Sequence, residues 1–333
     1  MMPGFVLFLI SSLTLATVYA LVALALNFEA GVDGLWDLGV VSFFAAGAYA
    51  YAILTVGPPD QMQVYRLGFG LPLWIGVIGA AGAGTLVAYL IGRASLHLKH
   101  VYYLITTFAF AEVIREVLTN ERWLTNGTAG MYRMAQPFKS SFETNLYPLV
   151  LLLVMVAILV VVFIALNRVT KRPFGRALNA LRENEDLAAT AGMAPYRYHL
   201  RSAMIAGAVA GIAGACYVWF NTVIVPQQFT SSITFVAWTV IVVGGLGNNR
   251  GAVLGAFLLI LTEDVLRLFD LSSTVAVRVA SARVAVIGLI LMAVLRWRPR
   301  GVLPEKRPRF SRSEALVPAE APAQGLQQVG SGE

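Results

Sequence analysis

The stretch FVLFLISSLTLATVYALVALALN, residues 5–27, carries no charge and is apolar on every side of a helix. A helix crossing the hydrocarbon core of a bilayer needs about 20 predominantly apolar residues, and this run supplies them unbroken. No basic residue precedes it, and it exceeds the roughly 7–15 apolar residues of a secretory signal. It therefore reads as a span that stays in the protein. Four further uncharged runs follow at 38–57, 71–92, 146–167 and 202–227, with shorter or interrupted ones at 101–111, 233–246, 251–262 and 284–295. The expected fold is an all-α polytopic membrane protein of about eight to ten transmembrane or re-entrant helices.

Composition points the same way. Of 333 residues, 58% are hydrophobic and 13% charged, whereas a soluble domain carries about 25% charged residues. Most of the surface must face something other than water, and a lipid bilayer is the expected partner. Cys216 is the only cysteine, which excludes an intrachain disulfide or a multi-cysteine metal site. His97, His100 and His199 lack the spacing of a zinc protease, and no phosphate-binding loop is present. No cofactor is expected, and ATP hydrolysis by this chain is not.

The net charge of +7 would suit nucleic acid, but its placement argues against that. Of the 25 basic residues, 14 lie in two short regions, seven between 168 and 201 and seven between 296 and 312. Basic residues concentrate in cytoplasmic segments flanking membrane helices, so both regions are expected in the cytoplasm, with an even number of crossings between them. Counting backwards puts 93–100 on the cytoplasmic side, 120–145 outside and the N-terminus outside. Residues 1–300 form the expected membrane domain. Residues 301–333, rich in Pro, Ala, Gln, Gly, Ser and charge, lack the apolar surface to offset their ordering entropy and read as a disordered cytoplasmic tail.

The connector FGRALNALRENEDLAATAGM, residues 174–193, is the most patterned polar segment. Phe174, Leu178 and Leu181 recur at helical spacing and line one face of a short helix. Asn184 suits the cap of a second short helix, with Glu185 and Asp186 in its first turn, where the dipole favours negative charge. Gly192 suits a left-handed stop, and Pro195 follows it. Leu187, Ala188, Ala189 and Ala191 are then expected at the surface. On these residues alone the segment is either a solvated connector or a docking element.

Two further regions place polar or flexible residues beside or within the apolar runs. Glu29, Asp33 and Asp37 follow the first span, and a charge at the bilayer centre costs about 2.5–3.5 kcal/mol on insertion scales. On a helix Asp33 and Asp37 would share a face; the other reading is a short interfacial turn. GGLGNNRGAVLG, residues 244–255, suits tight helix contact or a broken helix with a re-entrant turn at Asn248 and Asn249. Glu112 with Arg115, and Glu263 with Arg267, are spaced for helical ion pairs.

Several segments occur together in one order: YALVALALN (19–27), GVDGLWDLG (31–39), FFAAGAY (43–49), NERWLTNGTAG (120–130), FGR (174–176), AATAGM (188–193), GGLGNNRGAVLG (244–255) and RPRG (298–301). This set resembles the M-type permease subunits of branched-chain amino-acid ABC importers. The resemblance implies a transport subunit in the bacterial plasma (inner) membrane that pairs with a second, related permease. It further implies two ATP-binding subunits docked beneath it and a periplasmic solute-binding protein above. The ATPase-coupling residues it implies are Phe174, Gly175, Arg176, Arg182, Glu183, Glu185, Ala188, Ala189, Gly192 and Met193. Asn27, Asp33, Asp37, Ser42, Gly244, Gly247 and Asn248 are the expected substrate-path residues. Asp33 stands where the family more often has an uncharged residue, so the expected cargo is a branched-chain amino acid or a related small polar solute. Two rival readings rest on the acids. One is an ion-coupled secondary transporter. The other is an intramembrane enzyme holding magnesium on Asp33 and Asp37, for which Glu263, Asp264 and Asp270 make no convincing second pair.

Overall fold

A helix that is apolar all round belongs at the centre of a bundle. That is the position of α1 (Gly4–Leu26), in which all of residues 20–26 are buried. It continues without a break into a π-helical turn, Asn27–Asp33, whose seven residues are all buried. Gly34, in the left-handed region at φ 85°, ends the combined helix. The structure, a computed structural model, describes residues 4–59, 64–98, 100–139, 146–267 and 301–305, with single positions at 288, 292, 296 and 298.

Around α1 lie α2 (Val40–Thr55), α3 (Leu73–Ser95), α4 (His100–Asn120), the short α5 (Arg122–Thr125), α6 (Tyr147–Lys171), α7 (Pro173–Glu183), α8 (Glu185–Thr190), α9 (Pro195–Asn221), α10 (Ser231–Gly244) and α11 (Asn249–Arg267). The described residues thus form an all-helical membrane protein. α1 with its π-turn, α3, α6 and α9 are each long and apolar enough to cross a bilayer. α6 buries only one stripe, Leu151, Met155, Leu159, Val162 and Leu166, and turns Leu153 and Val161 outward. Such a helix sits at the rim of the bundle, with an apolar face turned outward.

α2, α3 and α9 pack at backbone distance. α3 presents Gly76, Ala80, Gly84 and Ala88, one every fourth residue, and α9 answers with Gly207, Gly211 and Gly214. A Cβ on Gly84 would lie 2.1 Å from the Gly207 carbonyl oxygen, and one on Gly47 of α2 would lie 2.3 Å from Gly211 Cα. Without a hydrophobic force between helices in lipid, such close van der Waals contact is what joins them.

The runs at 233–246 and 251–262, read from sequence as separate candidates, are one bent pair. α10 and α11 meet at 116° across residues 245–248, where Gly245 (φ 122°) and Gly247 (φ 80°) adopt backbone conformations that side chains resist. The arms touch near the bend, since a Cβ on Gly244 would lie 2.1 Å from the Gly251 carbonyl oxygen. The turn falls at Leu246 and Gly247, just before the Asn248 and Asn249 named from sequence, and Asn249 opens α11. The run at 284–295 lies outside the described residues apart from two single positions.

The bundle has two unlike ends. At one, Arg66 N donates to Trp123 O at 2.8 Å, and Met131 and Ile224 exchange backbone hydrogen bonds of 2.9 and 3.0 Å. At the other gather the π-turn, α7, α8, the α10–α11 bend and residues 301–305. The start of the expected tail is held there: Val302 N and Leu303 N each donate at 2.9 Å to the carbonyls of Val243 and Gly244. Residues 306–333 lie outside the described residues.

Candidate functional site

The polar end is built on α7 and α8. Proline at the first position of α7 and Arg172 in an extended conformation start the helix directly after α6. Gly175, Leu178 and Leu181 are buried, Phe174 stacks on Tyr198 at 5.9 Å, and Arg176 and Glu183 face out. Asn184 caps α8 by accepting from Leu187 N at 2.9 Å, and Gly192 ends the segment at φ 87°. Leu187 is 66% exposed, and Glu185, Ala189 and Ala191 are exposed with it. Ala188 departs from the expected surface position. It is buried, because a six-residue helix lying on α9 must turn one side inward. Met193, half-buried, donates its N–H to the Ala188 carbonyl at 3.1 Å.

Arg182 turns inward, unlike Arg176. One guanidinium nitrogen donates to the carbonyl of Gly31 in the π-turn. The other donates to both carboxylate oxygens of Glu305 at 2.9 Å. α7 is thereby tied to the end of α1 and to residues 301–305.

The three acids are all buried, and each has its own hydrogen-bond partner. Glu29 accepts from the Tyr103 hydroxyl at 3.0 Å. Asp33 faces His199 Nδ1 at 2.9 Å, and Asp37 accepts from Gly39 N at 2.6 Å at the start of α2. Each has a second carboxylate oxygen buried without a hydrogen-bond partner. The shared helical face expected for Asp33 and Asp37 is absent, because Gly34 stops the helix between them. Their side chains serve different neighbours, His199 for Asp33 and the Gly39 N–H for Asp37. His199 is the residue that the sequence did not single out. Asp33 lies on one side of its ring, and Glu185 of α8 is 3.9 Å from Nε2 on the other, beyond hydrogen-bond reach. A histidine between Arg197 and Arg201, at the polar start of a helix that is apolar further on, is the local signal for it.

A cavity of about 250 Å³ opens here, lined among others by Asp33, Trp36, His97, Tyr103, Arg182 and His199. Beside it runs a chain of amides. Asn27, fully buried, donates to Asn249 Oδ1 at 2.8 Å and accepts from Gly247 N at 2.9 Å. Asn249 donates onward to Asn167 Oδ1 at 3.0 Å. Asn248 donates to the carbonyls of Leu303 and Pro304 at 3.2 and 3.3 Å.

Of the expected path residues, the structure gathers Asn27, Gly247 and Asn248 around the bend and brings Asp33 to the cavity. Ser42 bonds the Gly39 carbonyl at 2.6 Å in the first turn of α2, and Gly244 packs on Gly251. Neither lines the cavity. The Glu112–Arg115 pair forms at 2.8 Å, while the Arg267 side chain lies outside the described residues.

Comparison with known proteins agrees with this architecture. Residues 8–295 match the family model described as the permease component of the branched-chain amino acid transport system. The high-affinity branched-chain amino acid transport system permease protein LivM of Escherichia coli K12 is 30% identical over 329 residues, covering 92% of this chain and 72% of that protein. The probable permease protein LivM of Methanocaldococcus jannaschii is 25% identical over 320 residues, covering 86% and 91%. The probable LivH permease of the same organism is 28% identical over 132 residues, or 40% of this chain. No solved structure matches. A glycine-packed bundle of apolar helices, with a match along nearly all its length, belongs to the branched-chain amino acid transport system permease family.

Proposed function

We propose that this chain is the membrane-spanning permease of an ATP-driven importer in the bacterial inner membrane. It pairs with a second, related permease and receives a branched-chain amino acid or similar small polar solute from a periplasmic binding protein. Two ATP-binding subunits grip α7 and α8 from the cytoplasm and carry out the hydrolysis. The observation that carries this reading is the construction of that segment. Leu178 and Leu181 fix α7 to the bundle, while Leu187, Ala189 and Ala191 stand exposed among the described residues.

The charge supports the orientation. The seven basic residues between 168 and 201 belong to the end that also holds residues 301–305, and basic flanks favour the cytoplasm. The opposite end, with residues 121–139 and 222–230, then faces the periplasm, and the C-terminus lies in the cytoplasm. Asn27 and Asp33 border the inner part of the solute path.

Small exposed residues let another protein's backbone approach closely, so bulk at Ala189 should block docking without disturbing the bundle. In the reconstituted complex, Ala189→Trp is expected to lower substrate-stimulated ATP hydrolysis about tenfold or more, with membrane insertion intact. Unchanged stimulated hydrolysis would refute the reading.

A further inference from the structure

The π-turn Asn27–Asp33 is gripped from three directions. Arg182 of α7 donates to the Gly31 carbonyl. His199 of α9 holds Asp33 at 2.9 Å. Gly247, at the α10–α11 bend, donates its N–H to Asn27 at 2.9 Å. The fit leaves no slack: a Cβ on Gly31 would lie 2.5 Å from Gly247 N, and one on Gly34 would lie 2.7 Å from Arg182 Cγ.

The last carbonyls of a helix have no partner within it, and a cation there also complements the helix dipole. Arg182 meets both needs at the end of α1. π-helical segments are rare and concentrate at functional sites, where the wider turn frees backbone groups from the regular ladder. Here it lies between the exposed α7–α8 segment on one side and the central helix and hairpin on the other.

We infer that this π-turn is the joint through which movement of α7 and α8 reaches α1 and the α10–α11 hairpin, with Arg182 as its positioning residue. The inference rests on the coupling role proposed above. The contact that transmits is the one to Gly31; the pair with Glu305 steadies the guanidinium from behind.

The test uses the complete complex in proteoliposomes, measuring solute taken up and ATP hydrolysed together. Arg182→Ala is expected to lower the solute moved per ATP about tenfold while hydrolysis persists, since a charge-assisted hydrogen bond is worth about one decade or more. Glu305→Ala is expected to leave that ratio within about twofold. Should Arg182→Ala fail to assemble, Arg182→Lys, which lacks the rigid planar fork that fixes a donor on the Gly31 carbonyl, is expected to lower the ratio about threefold. An unchanged ratio in the assembled Arg182 variant would overturn the inference, as would equal losses in the Arg182 and Glu305 variants. A native complex that takes up solute without consuming ATP would overturn the coupling reading itself, and this inference with it.

Discussion

Where α3 meets α9, backbone faces backbone: a Cβ on Gly211 would lie 2.2 Å from the Ala80 carbonyl oxygen. Where α7 meets the π-turn, a guanidinium reaches a carbonyl, and α9 reaches the same turn through an imidazole and a carboxylate. Both regions are buried and close-fitting, but the forces differ in kind. Contact between small residues is short-ranged and without direction, and it fades over a fraction of an ångström. A few directional polar bonds can be exchanged for others as elements shift, so bistable arrangements are built from them. The first region therefore reads as the static frame and the second as the part that rearranges.

The frame is the easier to break. Gly211→Leu puts a branched side chain where α3 and α2 leave no room for a methyl group. Separating the helices should cost about 3 kcal/mol or more. The expected result is loss of the monodisperse detergent-solubilised protein, or a large fall in its thermal unfolding temperature. A variant with native unfolding behaviour would mean that these helices do not meet at backbone distance.

The polar end should lose less stability and more function. Asn27→Leu removes both the acceptor for Gly247 N and the donor to Asn249, stranding one half-buried and one buried group. The expected cost is about 1–3 kcal/mol, the desolvation penalty of groups left unpaired. Solute uptake should fall further than unfolding temperature, because the α10–α11 bend loses its tie to α1. Equal losses at Asn27 and Gly211, in both measurements, would erase the distinction between the regions.

Much of the frame could be read from the chain. Bilayer thickness dictates the length of an apolar run, so 5–27, 71–92, 146–167 and 202–227 reappear as α1, α3, α6 and α9. The caps of the connector were equally legible, because Asn184 and Gly192 act on their own neighbours. The polar end was not. Asp33 finds its partner 166 residues away, and Arg182 finds partners 151 and 123 residues away. No local pattern records such pairings. The four-residue spacing of Asp33 and Asp37 leaves a shared helical face and a short turn both open, and Gly34, one position on, decides for the turn by taking a left-handed conformation. Arg182 and Arg176 look alike in sequence, and only the fold separates the inward cation from the outward one.

The smallest expected effect separates two reasons for a glycine. Gly192, at φ 87°, has nothing within 4 Å of where a Cβ would stand, so only its backbone conformation resists substitution. Gly207 sits in ordinary helix, with the Gly84 carbonyl oxygen 2.5 Å from such a Cβ. Alanine at 192 should cost about 1 kcal/mol, and asparagine less, because its short polar side chain tolerates the left-handed region. At 207 the order should reverse, since the larger side chain meets the same backbone oxygen with more atoms. Thermal unfolding of the four variants checks this. If asparagine were worse than alanine at both positions, crowding would govern the connector as it governs the frame, and the connector would have to be covered by another part of this chain.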